Sequence, residues 1–304
     1  MTELQFKEKF IERYKKLTDW DKFEKASREW LRKSIRVNTI KISVSELKKR
    51  LEKQGWKLTQ IPWCKEGFWI EGERTDLGNL IEHALGYYYV QEAASMLPPL
   101  ALEPQENNVI LDVAAAPGSK TTQIAQQMKN TGIVLANDIT GDRLASLGIN
   151  IQRCGLKNVS VMKCKGQFIK GQFDRILLDA PCSGTGTIMK SIRSAMDWNP
   201  VSIESLSGLQ KKLILVSFNN LKENGILVYS TCTMEPQENE GVVSYLLEKF
   251  PNAKLEEINL DIKRSPAILE FENKKYNPEV KKCLRIWPQD NNTEGFFVAK
   301  IKKT

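Results

Sequence analysis

The chain has 304 residues, 41% hydrophobic and 27% charged, with a net charge of +8 and a pI near 9.0. That length predicts two domains, and no apolar run reaches the roughly 18–20 residues of a membrane span, so no membrane partner is expected. Six cysteines without a Cys-x-x-Cys pair and a single histidine, His83, speak against a metal site and against His-dependent nucleophile schemes, while the positive balance favours a polyanionic partner.

The amino terminus, Met1 to Lys7, is charged from the start and lacks a signal-peptide apolar core, which predicts a cytoplasmic protein without disulfides. From Leu4 to about Lys33 the pattern is helical, with Phe6, Phe10, Tyr14 and Leu17 recurring as a core stripe. Ser34–Ile40 reads as a strand. Ser43 or Ser45 caps a helix through Lys53 that stops at Gly55, and Trp56–Ile61 and Gly67–Ile70 read as further strands. This is a small α+β unit, compatible with an RNA-recognition-type fold. His83 lies in the apolar helical run Leu80–Leu85 and is read as structural. A second helical stretch, Gln91–Leu102, ends at the punctuation Glu103–Asn108.

A regular alternation follows. Strand Val109–Ala114, helix Lys120–Met128, strand Ile133–Asn137, helix Asp142–Cys154 and strand Val159–Lys163 succeed one another. Strand Phe173–Asp179, a long helix from about Ser202 to Lys222, strand Gly225–Ser230 and helix Gln237–Phe250 continue it, and Gly295–Ile301 is a final strand that pairs with an earlier one. Strands alternating with helices imply parallel βαβ units and a doubly wound, Rossmann-like α/β sheet. The domain boundary is expected between residues 104 and 105.

The first strand runs into Ala114, Ala115, Ala116, Pro117, Gly118, Ser119 and Lys120, at the βα turn where such sheets bind nucleotides. One glycine excludes Gly-x-Gly-x-x-Gly, and Val113 and Ser119 stand where a phosphate loop needs glycine and lysine. A nucleoside without a pyrophosphate fits better. Asp138, 20 residues beyond Gly118, is where a carboxylate can accept ribose hydroxyls. S-adenosyl-L-methionine has the ribose and no phosphates, and meets that description. Asp112 either supports the loop toward the cofactor or only braces it.

Two cysteines sit at strand ends, Cys182 in Asp179–Gly184 and Cys232 in Tyr229–Thr233. A lone cysteine is ordinarily a small core hydrophobe. Ligands of open α/β sheets bind outside the carboxyl ends of the strands, so two thiols presented there face one crevice. Residue chemistry leaves open which of the two attacks.

The loop Asp112–Thr121, the run Leu178–Gly184 and the run Ser230–Thr233 resemble successive motifs of the RNA cytosine-5 methyltransferase family. Arg36–Thr39 resembles its RNA-contact motif, Gln91–Met96 the motif before its catalytic domain, and the similarity extends through Arg285–Pro288 and Gly295–Lys300. The resemblance implies a class I methyltransferase sheet preceded by an RNA-binding unit, acting on an RNA substrate with S-adenosyl-L-methionine. The compact chain resembles archaeal-type tRNA enzymes, which favours tRNA over ribosomal RNA and a monomer. Carbon 5 of cytosine is a poor nucleophile, and a thiolate adding at carbon 6 makes it electron-rich. An ordinary thiol, with a pKa of ~8.5, is only a few per cent ionised at neutral pH, so the site should stabilise the anion.

By the same resemblance Cys232 is the nucleophile and Cys182 assists release of the adduct. Asp179 holds N3 and the exocyclic amine, and Lys120 approaches the ring or its backbone. Residues Ala114 to Lys120, Asp138, Arg143, Asp179 and Pro181 belong to the cofactor site, and Arg36 and Asn38 contact RNA. One segment departs from the family. Where an aspartate commonly contacts the adenine amine after the third strand, this chain has Lys163-Cys164-Lys165-Gly166-Gln167, and lysine accepts no hydrogen bond.

Overall fold

The structure is a computed structural model that describes residues 6–74 and 76–304. The reading of the first five residues, including the helix start at Leu4, lies outside the described residues. Helices α1 (Glu8–Tyr14) and α2 (Trp20–Arg28) replace the single long helix expected there. The break comes at Asp19, whose carboxylate accepts from the Lys22 N–H at 3.3 Å and caps the second helix.

Strand β1 (Ser34–Val37), helix α3 (Val44–Lys53), strands β2 (Lys57–Gln60) and β3 (Gly67–Glu71), short helix α4 (Ile81–Ala84) and strand β4 (Tyr88–Val90) follow. They form an antiparallel sheet in the order β2-β3-β1-β4, the split β-α-β-β-α-β arrangement. Ser43 caps α3 by accepting from the Glu46 N–H, as expected. Period-2 alternation sends Ile35 and Val37 into a core with Leu47, Leu51 and Phe68, and turns Ser34 and Arg36 to the other face.

Gln91–Ala93 is not helical. The Gln91 N–H bonds to Ser34 O, so the chain stays extended, and α5 spans Leu97–Leu102 with Pro98 and Pro99 in its first turn, where no intrahelical donor is needed.

The second part runs β5 (Val109–Asp112), α6 (Ser119–Gln127), β6 (Ile133–Asp138), α7 (Gly141–Cys154), β7 (Val159–Lys163), β8 (Phe173–Asp179), a short α8 (Arg193–Met196), α9 (Pro200–Asn219), β9 (Leu221–Thr231) and α10 (Glu240–Lys249). Strands β10 (Ala253–Glu256), β11 (Glu270–Phe271), β12 (Lys274–Lys275) and β13 (Leu284–Ile286), helix α11 (Pro288–Asn291) and strand β14 (Phe296–Lys303) complete it. The large sheet has the order β10-β14-β9-β8-β5-β6-β7. Strands β5 to β9 are parallel neighbours, and β14 returns antiparallel to β9.

Alternating residues bury both faces of this sheet. Ile110, Leu177, Val228 and Val298 pack toward α5, α6 and α7, while Leu111, Ile176, Leu178 and Leu227 pack toward α9 and α10. The first of these cores runs on into Trp63, Trp69 and Tyr89 of the small sheet. Helices α1 and α2 pack Phe10, Tyr14 and Phe23 against Trp198, Met234 and Trp287. Among the described residues no helix is long and apolar enough to cross a membrane.

Candidate active site

The strand order reverses between β5 and β8, and the crevice at that switch point is where a ligand of an open sheet binds. A cavity of about 520 Å3 opens there, within the range of small-molecule sites. Its walls come from five strand ends and from α9. Val113, Ala114 and Ala116 follow β5, Asp138 and Ile139 end β6, Lys165, Gly166 and Gln167 follow β7, and Asp179 to Cys182 end β8. Leu209 and Leu213, one turn apart on α9, and Cys232 complete the lining, and Arg143 stands at the rim beside Asp138.

Both strand-end thiols reach this cavity, with Sγ atoms 3.4 Å apart. Strands β8 and β9 are parallel with Asp179 opposite Ser230, so the two cysteines leave the sheet side by side. A buried carboxylate holds the two turns together. Glu238 accepts from the Ser183 N–H at 3.0 Å, from the Ser183 hydroxyl, from the Thr233 hydroxyl at 3.2 Å and from Gln210 Nε2 at 2.8 Å. Ser183 Oγ and Thr233 Oγ1 are themselves 2.7 Å apart, and the Gly186 N–H bonds to Cys232 O. The hydrogen bond with Cys232, then burial, push the Cys182 thiol well above its usual range.

Asp179 is bonded on both oxygens, at 2.7 Å from Lys120 Nζ and 2.8 Å from the Ser230 hydroxyl. Burial works against the Lys120 ammonium, but the charge and hydrogen bond of Asp179, joined by Cys232 and Asp112, raise its pKa overall. Asp112 accepts from the Thr121 hydroxyl at 2.7 Å while its second oxygen is buried without a partner. Burial pushes its carboxyl up to about 7. Asp112 does not line the cavity, so of the two readings the brace is the one seen.

Asp138 accepts from the Ala116 N–H and the Ile139 N–H at 3.2 and 2.8 Å, and Arg143 lies 3.4 Å away. A carboxylate offers about four lone-pair directions, so acceptor capacity toward the cavity is left. Of the expected cofactor residues, Ala114, Ala116, Asp138, Arg143, Asp179 and Pro181 line the cavity, while Ala115, Pro117, Gly118, Ser119 and Lys120 do not. Gly118 has φ +106°, and a Cβ there would stand 2.8 Å from Leu147, so it serves the turn into α6 rather than ligand approach.

Arg36 and Asn38, expected to contact RNA, are here internal struts, 1% and 2% exposed. The Arg36 guanidinium donates to Gln91 Oε1, to Ser119 O and Thr122 Oγ1 at 2.9 Å each, and to Gln126 Oε1 at 3.3 Å, tying the small sheet to α6. Asn38 Nδ2 donates to Gly86 O and Cys154 O at 2.8 Å each. His83 lies on α4 of the small unit and is no part of the cavity. Among the described residues no group of three or more His, Cys, Asp or Glu is placed to hold a metal.

Sequence reasoning missed Glu238, Gln167, Leu209 and Leu213. The run Glu235-Pro236-Gln237-Glu238-Asn239-Glu240 carries a readable signal, because so many polar residues between a buried strand and an apolar helix must find partners inside. Each carboxylate does. Glu235 meets Arg13 at 2.8 Å, and Glu240 meets Arg285 at 2.6 Å.

Residues 99–302 match the family described as 16S rRNA methyltransferase RsmB/F, and residues 6–93 the N-terminal domain of 16S rRNA methyltransferase RsmF. The chain is 48% identical over 299 residues to the tRNA (cytosine(49)-C(5))-methyltransferase of Pyrococcus abyssi, covering 97% of this chain and 96% of that one. It is also 48% identical over 288 residues to the ribosomal RNA small subunit methyltransferase F of Psychromonas ingrahamii, covering 90% of this chain but 57% of that protein. Among solved structures, a methyltransferase homolog protein from Pyrococcus horikoshii superposes with a TM-score of 0.89 at 38% identity over 99% of this chain and 96% of that one. NSun6 from Pyrococcus horikoshii, solved with SFG, superposes with a TM-score of 0.87 at 28% identity over 98% of both chains.

Proposed function

The chain belongs to the 16S rRNA methyltransferase RsmB/F family of RNA cytosine-5 methyltransferases, and we propose that it methylates carbon 5 of a cytosine in tRNA with Cys232 as the nucleophile. The observation that carries this reading is the pair of thiols 3.4 Å apart at the mouth of a nucleoside-sized cavity. S-adenosylmethionine, bound in that cavity, supplies an electrophilic methyl group on its sulfonium. The residues fit such a group. Asp138 has acceptor capacity for ribose hydroxyls, and Val113, Ile139, Leu209 and Leu213 offer apolar walls to a purine.

Cys232, as the thiolate, bonds to carbon 6 of the ring, and the electrons displaced toward carbon 5 make that position nucleophilic. Carbon 5 would take the methyl group that the bound donor supplies, the donor's sulfonium becoming a thioether; the carbon-5 proton then passes to water, its electron pair expels the thiolate from carbon 6, and aromaticity returns. Cys182, held protonated by its bond with Cys232 and by burial, is suited to donate an S–H to the other sulfur and to assist its departure. The Lys120 ammonium lies within electrostatic reach of Cys232. Asp179, oriented by Lys120 and Ser230, is placed to accept from the protonated N3 and the exocyclic amine.

For the substrate we follow the relative aligned over 299 residues at 48% identity, a tRNA enzyme. The Pyrococcus abyssi tRNA enzyme aligns with this chain almost end to end, whereas the chain spans less than two thirds of the ribosomal RNA enzymes it matches. Ribosomal RNA is the second reading, favoured by those relatives' names. Incubating the chain with labelled methyl donor and either tRNA or small-subunit ribosomal RNA, then digesting to nucleosides, tests both. Labelled 5-methylcytidine from tRNA is expected. Label in ribosomal RNA alone would replace the substrate, and none in either would reject the activity.

A further inference from the structure

We infer that Gln167 reads the hydrogen-bonding edge of the donor's purine, and that the site therefore accepts a 6-oxo purine nearly as well as a 6-amino one; this rests on the cavity being the methyl-donor site. Five side chains with charged or amide groups line the cavity, namely Asp138, Arg143, Lys165, Gln167 and Asp179. Asp138, at the end of β6, is assigned to the ribose hydroxyls, and Asp179 is held by Lys120 and Ser230. Arg143 donates to Ala116 O and approaches Asp138. Lys165 is donor-only. Gln167 is the one that both donates and accepts, and among the described residues its amide has no hydrogen-bond partner.

Its position is fixed by backbone rather than left to a loose loop. Asn137, next to Asp138, donates through Nδ2 to Val113 O and Cys164 O and accepts at Oδ1 from the Cys164 N–H, at 2.9, 3.0 and 2.9 Å. One amide thus joins the ends of β5, β6 and β7. The segment after Cys164 closes into a single turn at Gly166–Phe168, with Phe168 N–H bonded to Lys165 O, and α9 packs Leu213 against it. Gln167 is therefore presented, half-buried, beside the apolar wall of Val113 and Leu213.

The edge of adenine offers the N6 amine as donor and N1 as acceptor. A glutamine amide matches both at once, its oxygen accepting and its nitrogen donating. Hypoxanthine offers the reverse pair, O6 as acceptor and N1–H as donor, and the same amide rotated by half a turn matches it equally. A carboxylate has no donor for O6 and lysine no acceptor for N6, so this tolerance is specific to the amide.

The test is calorimetric titration of the full chain with S-adenosylhomocysteine, S-inosylhomocysteine and the analogue lacking the 6-substituent. Wild-type protein is expected to bind the first two within about 3-fold of each other and the third about 5-fold more weakly, the worth of one hydrogen bond. Gln167→Leu, and Gln167→Ala as its check on side-chain bulk, should weaken the adenosyl and inosyl ligands by about 10-fold and erase the penalty for losing the 6-substituent. Rejection of the inosyl ligand by wild type beyond about 30-fold, as a site built for one edge would show, overturns the inference. So does adenosyl binding that both variants leave unchanged, or a 6-substituent penalty that survives in them. If wild type binds none of the three, the methyl-donor assignment itself falls, and this inference falls with it.

Discussion

Replacing Arg36 by methionine separates a strut from an RNA contact. The guanidinium serves five buried acceptors, Gln91 Oε1, Ser119 O, Thr122 Oγ1, Gln123 Oε1 and Gln126 Oε1; Ser119 O and Gln123 Oε1 have a second donor in Thr122 and Gln91, and Arg36→Met leaves the other three unpaired while keeping the length of the side chain. Each orphaned acceptor costs on the order of 1 kcal/mol, about 3 kcal/mol in all. Part of that returns, because the buried cation itself is held at a cost: burial lowers the Arg36 pKa. We expect a net loss of roughly 2 kcal/mol, above the ordinary effect of a point mutation, read as a lower urea midpoint at constant m-value. Binding of tRNA at two salt concentrations supplies the second reading. A phosphate contact contributes about 0.7–0.9 to the slope of log K against log salt, and Arg36→Met, kept below its unfolding transition, should leave that slope unchanged. Stability within about 0.5 kcal/mol of wild type, together with a slope smaller by nearly one, would refute the reasoning.

Lys120→Met should lower the single-turnover methylation rate by about 100-fold, the usual loss of one charged group at a developing charge, while S-adenosylhomocysteine binds as before, because Lys120 does not line the cavity; a comparable loss of binding would count against its role. The folded chain holds the Asp112 proton up to about pH 7, against a reference value of 3.8, so the folded state binds more protons than the unfolded one between those values and stability falls as pH rises through that window. The difference is on the order of 4 kcal/mol above pH 7. Asp112→Asn should flatten the fall in unfolding free energy between pH 5 and pH 8, measured in urea, and an unchanged pH slope would remove Asp112 as its source. In Gly186→Ala the new Cβ would stand 2.3 Å from Gly295 O and 2.7 Å from Cys232 O. Neither backbone atom can step aside, so we expect about 2 kcal/mol of destabilisation and a slower methyl transfer in a single-turnover assay, and wild-type values in both would show the turn to be more yielding.

The elements legible in the sequence were those with a long, strongly patterned apolar signal. Strands such as Phe173–Asp179 and helices such as Gly141–Cys154 appear within a residue or two of where period and capping put them. Strand Tyr88–Val90 and the strands between Ala253 and Ile286 are two to four residues long, too short for a period to register. The two thiols were legible as strand-end residues, yet their 3.4 Å approach depends on Glu238, which lies on neither strand. Arg36 was misread for a reason of packing. A charged residue alternating with Ile35 and Val37 looks solvent-facing, and nothing in the strand itself reveals that α6 and Gln91 cover its other face with acceptors.

Trapping the enzyme on its substrate tests the account most directly. Cys182→Ala protein, incubated with tRNA and S-adenosylmethionine and run through a denaturing gel, should carry a covalently attached RNA, because the thiol that assists departure of Cys232 has been removed. The band should vanish when Cys232→Ala is added to the same protein. No adduct with any RNA that wild-type protein methylates, or an adduct that persists without Cys232, would contradict the account.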